Sequence, residues 1–108
     1  MPNEGSPRLD VSSGALVRKQ ISQLYQRADT EQQRRQFLHA IREILKELEQ
    51  NPTTWGDPLY RTHSYNGVVY RRLSFPILVY YVVFEKDRIV LINRIDPHPG
   101  SFLDTEPR

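Results

Sequence analysis

The chain has 108 residues, enough for one hydrophobic core and too few for two. Its 15 Lys and Arg residues against 13 Asp and Glu residues give a formal net charge of +2, so overall charge supports a polyanionic partner only weakly. Cysteine is absent, which excludes disulfides, thiolate catalysis and cysteine-bound zinc. No other cluster has metal-ligand spacing, so we expect neither a metal nor another cofactor.

The two ends of the chain differ in composition from its middle. Residues 1–7 are rich in Pro, Gly and Ser and predict a disordered leader. We expect a single domain over residues 8–100 and a C-terminal tail over 101–108. No signal peptide and no apolar run of about 18 residues is found, so we expect a cytoplasmic protein without a membrane partner.

A short strand and a first helix are predicted at the start of the domain. The segment "RLDVS" favours an edge strand, and Ser12 or Ser13 offers a side-chain oxygen to cap the helix that follows. Apolar residues then recur at steps of three and four, which indicates one buried helical face. These residues are Val17, Ile21, Leu24 and Ala28.

The second helix has the strongest local signal in the chain. Thr30 followed by Gln33 fits a capping box, in which each side chain satisfies a free amide of the first turn. The helix ends at "QNP", because proline disfavours helical geometry in the residue before it. One apolar face runs along it, formed by Phe37, Ile41, Ile44 and Leu48.

After residue 52 the hydrophobic period changes from that of helices to that of strands. The segment "TTWGDPLY" predicts turns, and three strands follow near residues 68–74, 77–84 and 88–95. The middle strand, "ILVYYVVF", is apolar at every position, which favours burial of both faces. Because the helix pair covers one face only, the other is a candidate binding surface.

Basic residues are enriched in the strand half. From residue 61 to residue 98 the chain carries six basic and three acidic residues. Arg71 and Arg72 are adjacent in a strand, so only one of them reaches the open face. By alternation with Leu78 and Val82, we assign Tyr80 to the core and Tyr81 to the open face, where an aromatic ring can stack on a base.

The order of these segments resembles that of a known toxin family. A helix hairpin ending in "ELEQNP", a loop "WGDPL" and then "VVYRRLSFPILVYYVVFEKDRIVLINRI" resemble the RelE/ParE superfamily of bacterial toxin-antitoxin systems. The resemblance implies an α+β fold, with an N-terminal helix hairpin on one face of a small, mainly antiparallel β-sheet. It also implies a cognate antitoxin, and either cleavage of mRNA on the ribosome or inhibition of DNA gyrase.

The resemblance also implies roles for individual residues. RelE-type nucleases use cations on the sheet, which suits RNA cleavage because positive charge stabilises the scissile phosphate while another group moves the 2′-hydroxyl proton. Carried to this chain, the pattern implies catalysis by Arg72, Arg94 and His98, and nucleic-acid contact by Arg71, Tyr81 and Arg61.

Two positions depart from the family pattern. Ile77 stands where many members carry an arginine, and Phe102 stands roughly where a tyrosine would contribute. These departures favour an alternative, a non-enzymatic binding module of the same fold, either ParE-like or without catalytic activity. Arg71 and Arg72 are equally explained as solvated flanks of a strand. Apolar residues left on the helix hairpin are compatible with a homodimer.

Overall fold

The structure, a computed structural model, describes residues 8–62 and 66–104. Within these residues, three helices and five strands follow in the order β1, α1, α2, α3, β2, β3, β4, β5. Their bounds are β1 Asp10–Ser13, α1 Ala15–Arg27, α2 Glu31–Gln50, α3 Pro52–Trp55, β2 Asp57–Arg61, β3 Val68–Ser74, β4 Ile77–Phe84 and β5 Ile89–Pro97.

The five strands form one sheet in the order β1-β5-β4-β3-β2. The pairs β2/β3, β3/β4 and β4/β5 are antiparallel, as short connections require, and only β1 runs parallel to its neighbour β5. β4 is therefore the central strand, which explains why its sequence is apolar throughout. The predicted bounds of β3 and β4 are confirmed.

The helices pack on one face of this sheet and close a single core. Helix residues and every second residue of the central strands meet there, which confirms the predicted α+β class. Among the described residues, no helix is both long and apolar enough to cross a membrane. The fully buried members with the largest side chains are Tyr81, Phe37, Ile44, Leu48, Ile77 and Leu103.

The caps of the two long helices differ in how well the sequence predicts them. The capping box of α2 is confirmed, because Gln33 N donates to Thr30 Oγ1 at 3.1 Å and the Gln33 side chain accepts from the Thr30 amide. The predicted serine cap of α1 is wrong. Gly14 is the N-cap and makes no side-chain bond, because Ser12 and Ser13 belong to β1.

The segment predicted as turns contains two regular elements. Pro52 opens the short helix α3, and its missing N–H costs nothing in a first helical turn. β2 follows as an exposed edge strand with a register shift between Pro58 and Tyr60. Proline and an irregular register are both typical of edge strands, so the turn-like sequence is compatible with this strand.

The packed domain extends beyond residue 100. Leu103 has no exposed surface and belongs to the core, and Arg27 Nη1 donates to its carbonyl at 3.0 Å. The first residues of the predicted tail over 101–108 therefore pack on the domain. The predicted leader and the last four residues of the tail lie outside the described residues.

Tyr80 and Tyr81 occupy the reverse of their predicted faces. Tyr81 is fully buried on the helix side, where its hydroxyl donates to Pro52 O at 2.5 Å. A side chain on Gly56 would collide with that hydroxyl, so the glycine leaves the space in which Tyr81 fits. The alternation was correct, but both faces of β4 are apolar, and the sequence pattern therefore did not show which one the helices cover.

Tyr81→Phe tests this assignment. We expect it to lower the free energy of unfolding by roughly 1–3 kcal/mol, because it removes a buried hydrogen bond. Tyr80→Phe, one residue away on the other face, should change it by less than about 0.5 kcal/mol. Urea unfolding measures both, and equal losses would contradict the assignment.

Tyr81→Phe should also change how the free energy of unfolding depends on pH. Burial raises the pKa of Tyr81 well above its ordinary value of 10.0. Below that value both the folded and unfolded chains keep the proton. Above it the unfolded chain ionises first, so the free energy of unfolding falls as pH rises beyond about 10. Tyr81→Phe should make this fall shallower when the free energy of unfolding is measured below and above pH 10.

Candidate functional site

The sheet face opposite the helices is the candidate functional surface, and we call it the uncovered face. No described helix packs on it, and side chains from β3, β4 and β5 alternate onto it in register. The uncovered face is formed by Val69, Arg71 and Leu73 of β3, Leu78, Tyr80, Val82 and Phe84 of β4, and Ile89, Leu91, Arg94 and Asp96 of β5.

Arg94 reaches this face through an irregularity in β5. Ile92 pairs with Tyr81 and Arg94 with Tyr80, which leaves Asn93 as an extra residue between them. In a regular strand Ile92 and Arg94 would share a face, since they are two residues apart. The bulge places Ile92 in the core and turns Arg94 to the uncovered face, as bulges commonly redirect a side chain.

Two arginines flank one tyrosine across the central strands. Arg71 of β3 and Arg94 of β5 are both direct cross-strand partners of Tyr80. Neighbouring strands lie about 4.8 Å apart, so roughly 10 Å separates the two arginine backbones. Arginine side chains are long enough to converge over that span. We call Arg71, Tyr80 and Arg94 the cation row.

The Arg94 guanidinium is held by two neighbours. Its Cζ atom lies 4.4 Å from the centroid of the Tyr80 ring, and its Nε lies 2.9 Å from Asp96 Oδ2. The pKa of Arg94 is raised, first by hydrogen bonding with the Tyr80 side chain and further by the negative charge of Asp96. Arg94 therefore carries its full positive charge throughout the physiological pH range.

Arg72 lies on the helix side of the sheet and not with Arg94. Its Nη1 donates to Trp55 O at 2.8 Å, and its Cζ lies 5.3 Å from the Trp55 ring centroid. Trp55 in turn stacks on Tyr81, with 6.1 Å between ring centroids. These contacts join α3 to β3. The prediction that only one of the adjacent arginines reaches the open face is confirmed, and that residue is Arg71.

Three other expected site residues lie away from the cation row. Tyr81 is in the core and not on the open face to which the sequence pattern assigned it. Arg61 pairs with Val68 at the end of β2, on the side of the sheet that also carries Tyr70. His98 follows the end of β5, four residues and about 13 Å of extended chain after Arg94. The centroid of its ring lies 5.9 Å from the centroid of the Phe75 ring.

The rest of the uncovered face is apolar. Leu73 is 44% exposed and Ile89 is 38% exposed, while Val69 and Val82 are shielded by their neighbours. Exposed apolar surface of this kind, next to charged groups, is typical of protein-binding surfaces. Within residues 8–62 and 66–104, no group of three or more His, Asp or Glu residues has an arrangement that fits a metal ion.

Sequence reasoning missed Tyr80 as a member of the site and assigned no role to Asp96. Tyr80 was assigned to the core, for the reason given above. The sequence could have indicated Asp96, because residues two positions apart in a regular strand lie on the same face and Asp96 is two positions after Arg94. The face of Arg94 itself depends on the bulge at Asn93, which no pattern in the sequence marks.

Comparison with known proteins identifies the fold. No family model matches the chain, and no curated protein sequence matches it. Among solved structures, a chain of the archaeal RelE-RelB complex from Pyrococcus horikoshii OT3 is similar, with a TM-score of 0.56 and 21% identity. The match covers 86% of this chain and 98% of that chain. The protein therefore has a divergent RelE-like α+β fold.

Arg72→Ala tests whether this arginine is structural. We expect it to lower the free energy of unfolding by about 1 kcal/mol, because it removes a hydrogen bond and a cation–π contact to Trp55. It should also shift the emission of Trp55, the single tryptophan of the chain. Arg71→Ala is the matched control and should change neither. Identical behaviour of the two variants in urea unfolding and fluorescence would refute the structural role.

Proposed function

We propose that this protein is the toxin component of a toxin-antitoxin pair and that it acts through the uncovered face. The observation that carries the proposal is the RelE-like fold, aligned over nearly the whole length of a chain from a RelE-RelB complex. The uncovered face adds support, since it combines the cation row with exposed apolar residues.

A cognate antitoxin is the expected protein partner. The similar structure is a complex of RelE with RelB, and here the helices leave one sheet face without a partner. Burial of its apolar residues would supply the hydrophobic core of an interface, with the arginines at its polar edge. A helix or strand of the antitoxin has the shape to lie on such a face.

The cation row favours a phosphate-bearing target such as mRNA on the ribosome. Arginine binds phosphate with several donors in a fixed plane, and two arginines on one face fit a phosphodiester backbone. Cleavage further requires a group that moves the 2′-hydroxyl proton. His98, the residue expected to do so, lies about 13 Å along the strand from Arg94. The geometry thus supports phosphate binding more directly than it supports cleavage.

A non-enzymatic toxin is the second candidate, and a specific observation favours it. The arginine that many family members carry is replaced by Ile77, which is fully buried in the core. Position 77 therefore contributes no cation to the uncovered face. A ParE-like module that binds DNA gyrase would need the uncovered face as a docking surface and no proton carrier.

Induced expression in a bacterial host tests the toxin proposal. We expect growth arrest with the parent chain and loss of arrest in the double variant Arg71→Ala, Arg94→Ala, because both cations leave the uncovered face. The matched control is Arg42→Ala, Lys46→Ala, which removes the same charge from the exposed side of α2. Thermal unfolding of each variant checks that the fold persists. Unimpaired growth with the parent chain would sink the proposal.

Pulse labelling in the same cultures separates the candidate modes of action. Early loss of protein synthesis would support attack on mRNA, whereas early loss of DNA synthesis would support inhibition of gyrase. If growth arrest persists in the arginine variant but disappears with Leu73→Lys, the activity belongs to the apolar part of the uncovered face and not to the cation row.

Co-purification tests the antitoxin partner. When the protein is expressed from its own chromosomal region, we expect a second small protein to purify with it. Leu73→Lys should weaken that complex about tenfold or more, because it puts a charge into the apolar part of the interface. Leu16→Lys, at a 65% exposed position of α1, is the control and should leave the complex intact. Recovery of the parent chain without a second protein would contradict the proposal of an antitoxin partner.

A further inference from the structure

We infer that Tyr80 and Asp96 are positioning residues, which hold the Arg94 guanidinium in the orientation that binds a phosphate group. The inference rests on the proposed use of the uncovered face, and it adds two residues that the chain's resemblance to RelE does not assign. Arg94 is the phosphate-binding group, and its two neighbours act through it.

The two contacts constrain different motions of the side chain. The Tyr80 ring, 4.4 Å from Cζ, supports the flat surface of the guanidinium and limits its tilt. Asp96 Oδ2, 2.9 Å from Nε, limits rotation within that plane. A guanidinium has five N–H donors, and an ion pair at Nε leaves donors of the terminal nitrogens to bind an anion.

Fixing the orientation matters because an arginine in solvent is mobile. The Arg94 side chain is 52% exposed, so without these contacts it would sample many rotamers and lose conformational entropy on binding. A guanidinium already held in place loses less, and its affinity for a ligand is correspondingly higher. Arg71, across Tyr80 in register, adds a second cation, and no carboxylate of the described residues forms an ion pair with it.

Asp96 has two opposing effects on an anion, and they can be separated. Its carboxylate orients Arg94, which favours phosphate binding, and its negative charge repels phosphate. Asp96→Asn keeps an oxygen that accepts from Nε and removes the charge, whereas Asp96→Ala removes both. If Asp96 positions Arg94, the Asn variant should bind phosphate more tightly than the Ala variant. If Asp96 acts by charge alone, the two variants should bind equally.

Tyr80 offers an equivalent pair of variants. Tyr80→Phe keeps the aromatic ring under the guanidinium, and Tyr80→Leu keeps an apolar strand residue without the ring. The Phe variant loses only the hydroxyl that hydrogen-bonds with Arg94, and the Leu variant loses the ring as well. We therefore expect phosphate binding to weaken in the order parent, Phe, Leu, with the Leu variant about two- to fivefold weaker than the Phe variant, the factor expected for an exposed cation–π contact.

The measurement is a titration of the full chain with inorganic phosphate, followed by NMR at the arginine Nε–Hε resonances. The expected result is a phosphate-dependent shift of the Arg94 resonance that is absent in Arg94→Ala and unchanged in Arg42→Ala. A merely structural role of Asp96 would not separate the phosphate affinities of the Asn and Ala variants at this resonance. Equal affinities within a pair of variants would overturn the inference for that residue, and no shift in the parent would overturn it for both.

A short single-stranded RNA, titrated in parallel, identifies the source of the phosphate. If RNA affinity follows the same order of variants, the site takes a nucleic-acid backbone; if only inorganic phosphate shifts Arg94, it takes free phosphate. The result is independent of toxicity. If the parent chain binds phosphate but does not arrest growth, the proposed function alone fails. If it arrests growth but does not bind phosphate, the inference alone fails.

Discussion

The architecture depends on the orientation of β4, and a buried hydrogen bond from the Tyr81 hydroxyl to Pro52 O stabilises the orientation that the structure shows. β4 is apolar at every position, so either face would bury well under the helices. Whichever face is buried brings a tyrosine hydroxyl with it, and a buried hydroxyl without a partner costs about 1–3 kcal/mol, so the buried tyrosine needs an acceptor and space on the helix side. Pro52 O provides the acceptor, and Gly56 provides the space. Since a shift by one residue moves every side chain to the other face, the position of Tyr81 determines which residues remain uncovered.

The elements that the sequence predicts well are those with a local physical cause. α2 has a capping box and a regular apolar face, and both are set within a few residues. β3 and β4 are bounded by residues that suit strand ends. α3 and β2 were missed because Pro52 and Pro58 have the same signature in turns as in a first helical turn or an edge strand. Which of these forms is adopted depends on the neighbouring strand β3, which is distant in sequence.

The candidate site was predictable only in part, for a related reason. Alternation correctly separated Arg71 from Arg72, since it is a property of a single strand. The face of Arg94 depends on the bulge at Asn93, which exists only in the pairing of β5 with β4. Two residues with similar chemistry, Arg72 and Arg94, therefore have different surroundings. One is bound to Trp55 on the helix side of the sheet, and the other lies on the uncovered face.

The two parts of the uncovered face are too close to be occupied independently. Val82 is two residues from Tyr80 along β4, about 7 Å, so the apolar part borders the cation row directly. A stable protein complex buries about 800 Å² on each partner, far more than a patch of that width. An antitoxin that covers the apolar part must therefore also cover Arg71 and Arg94. If the proposed antitoxin docks on the apolar part, its binding and the access of a phosphate-bearing target to these arginines would therefore exclude each other by steric overlap, without any change in the fold.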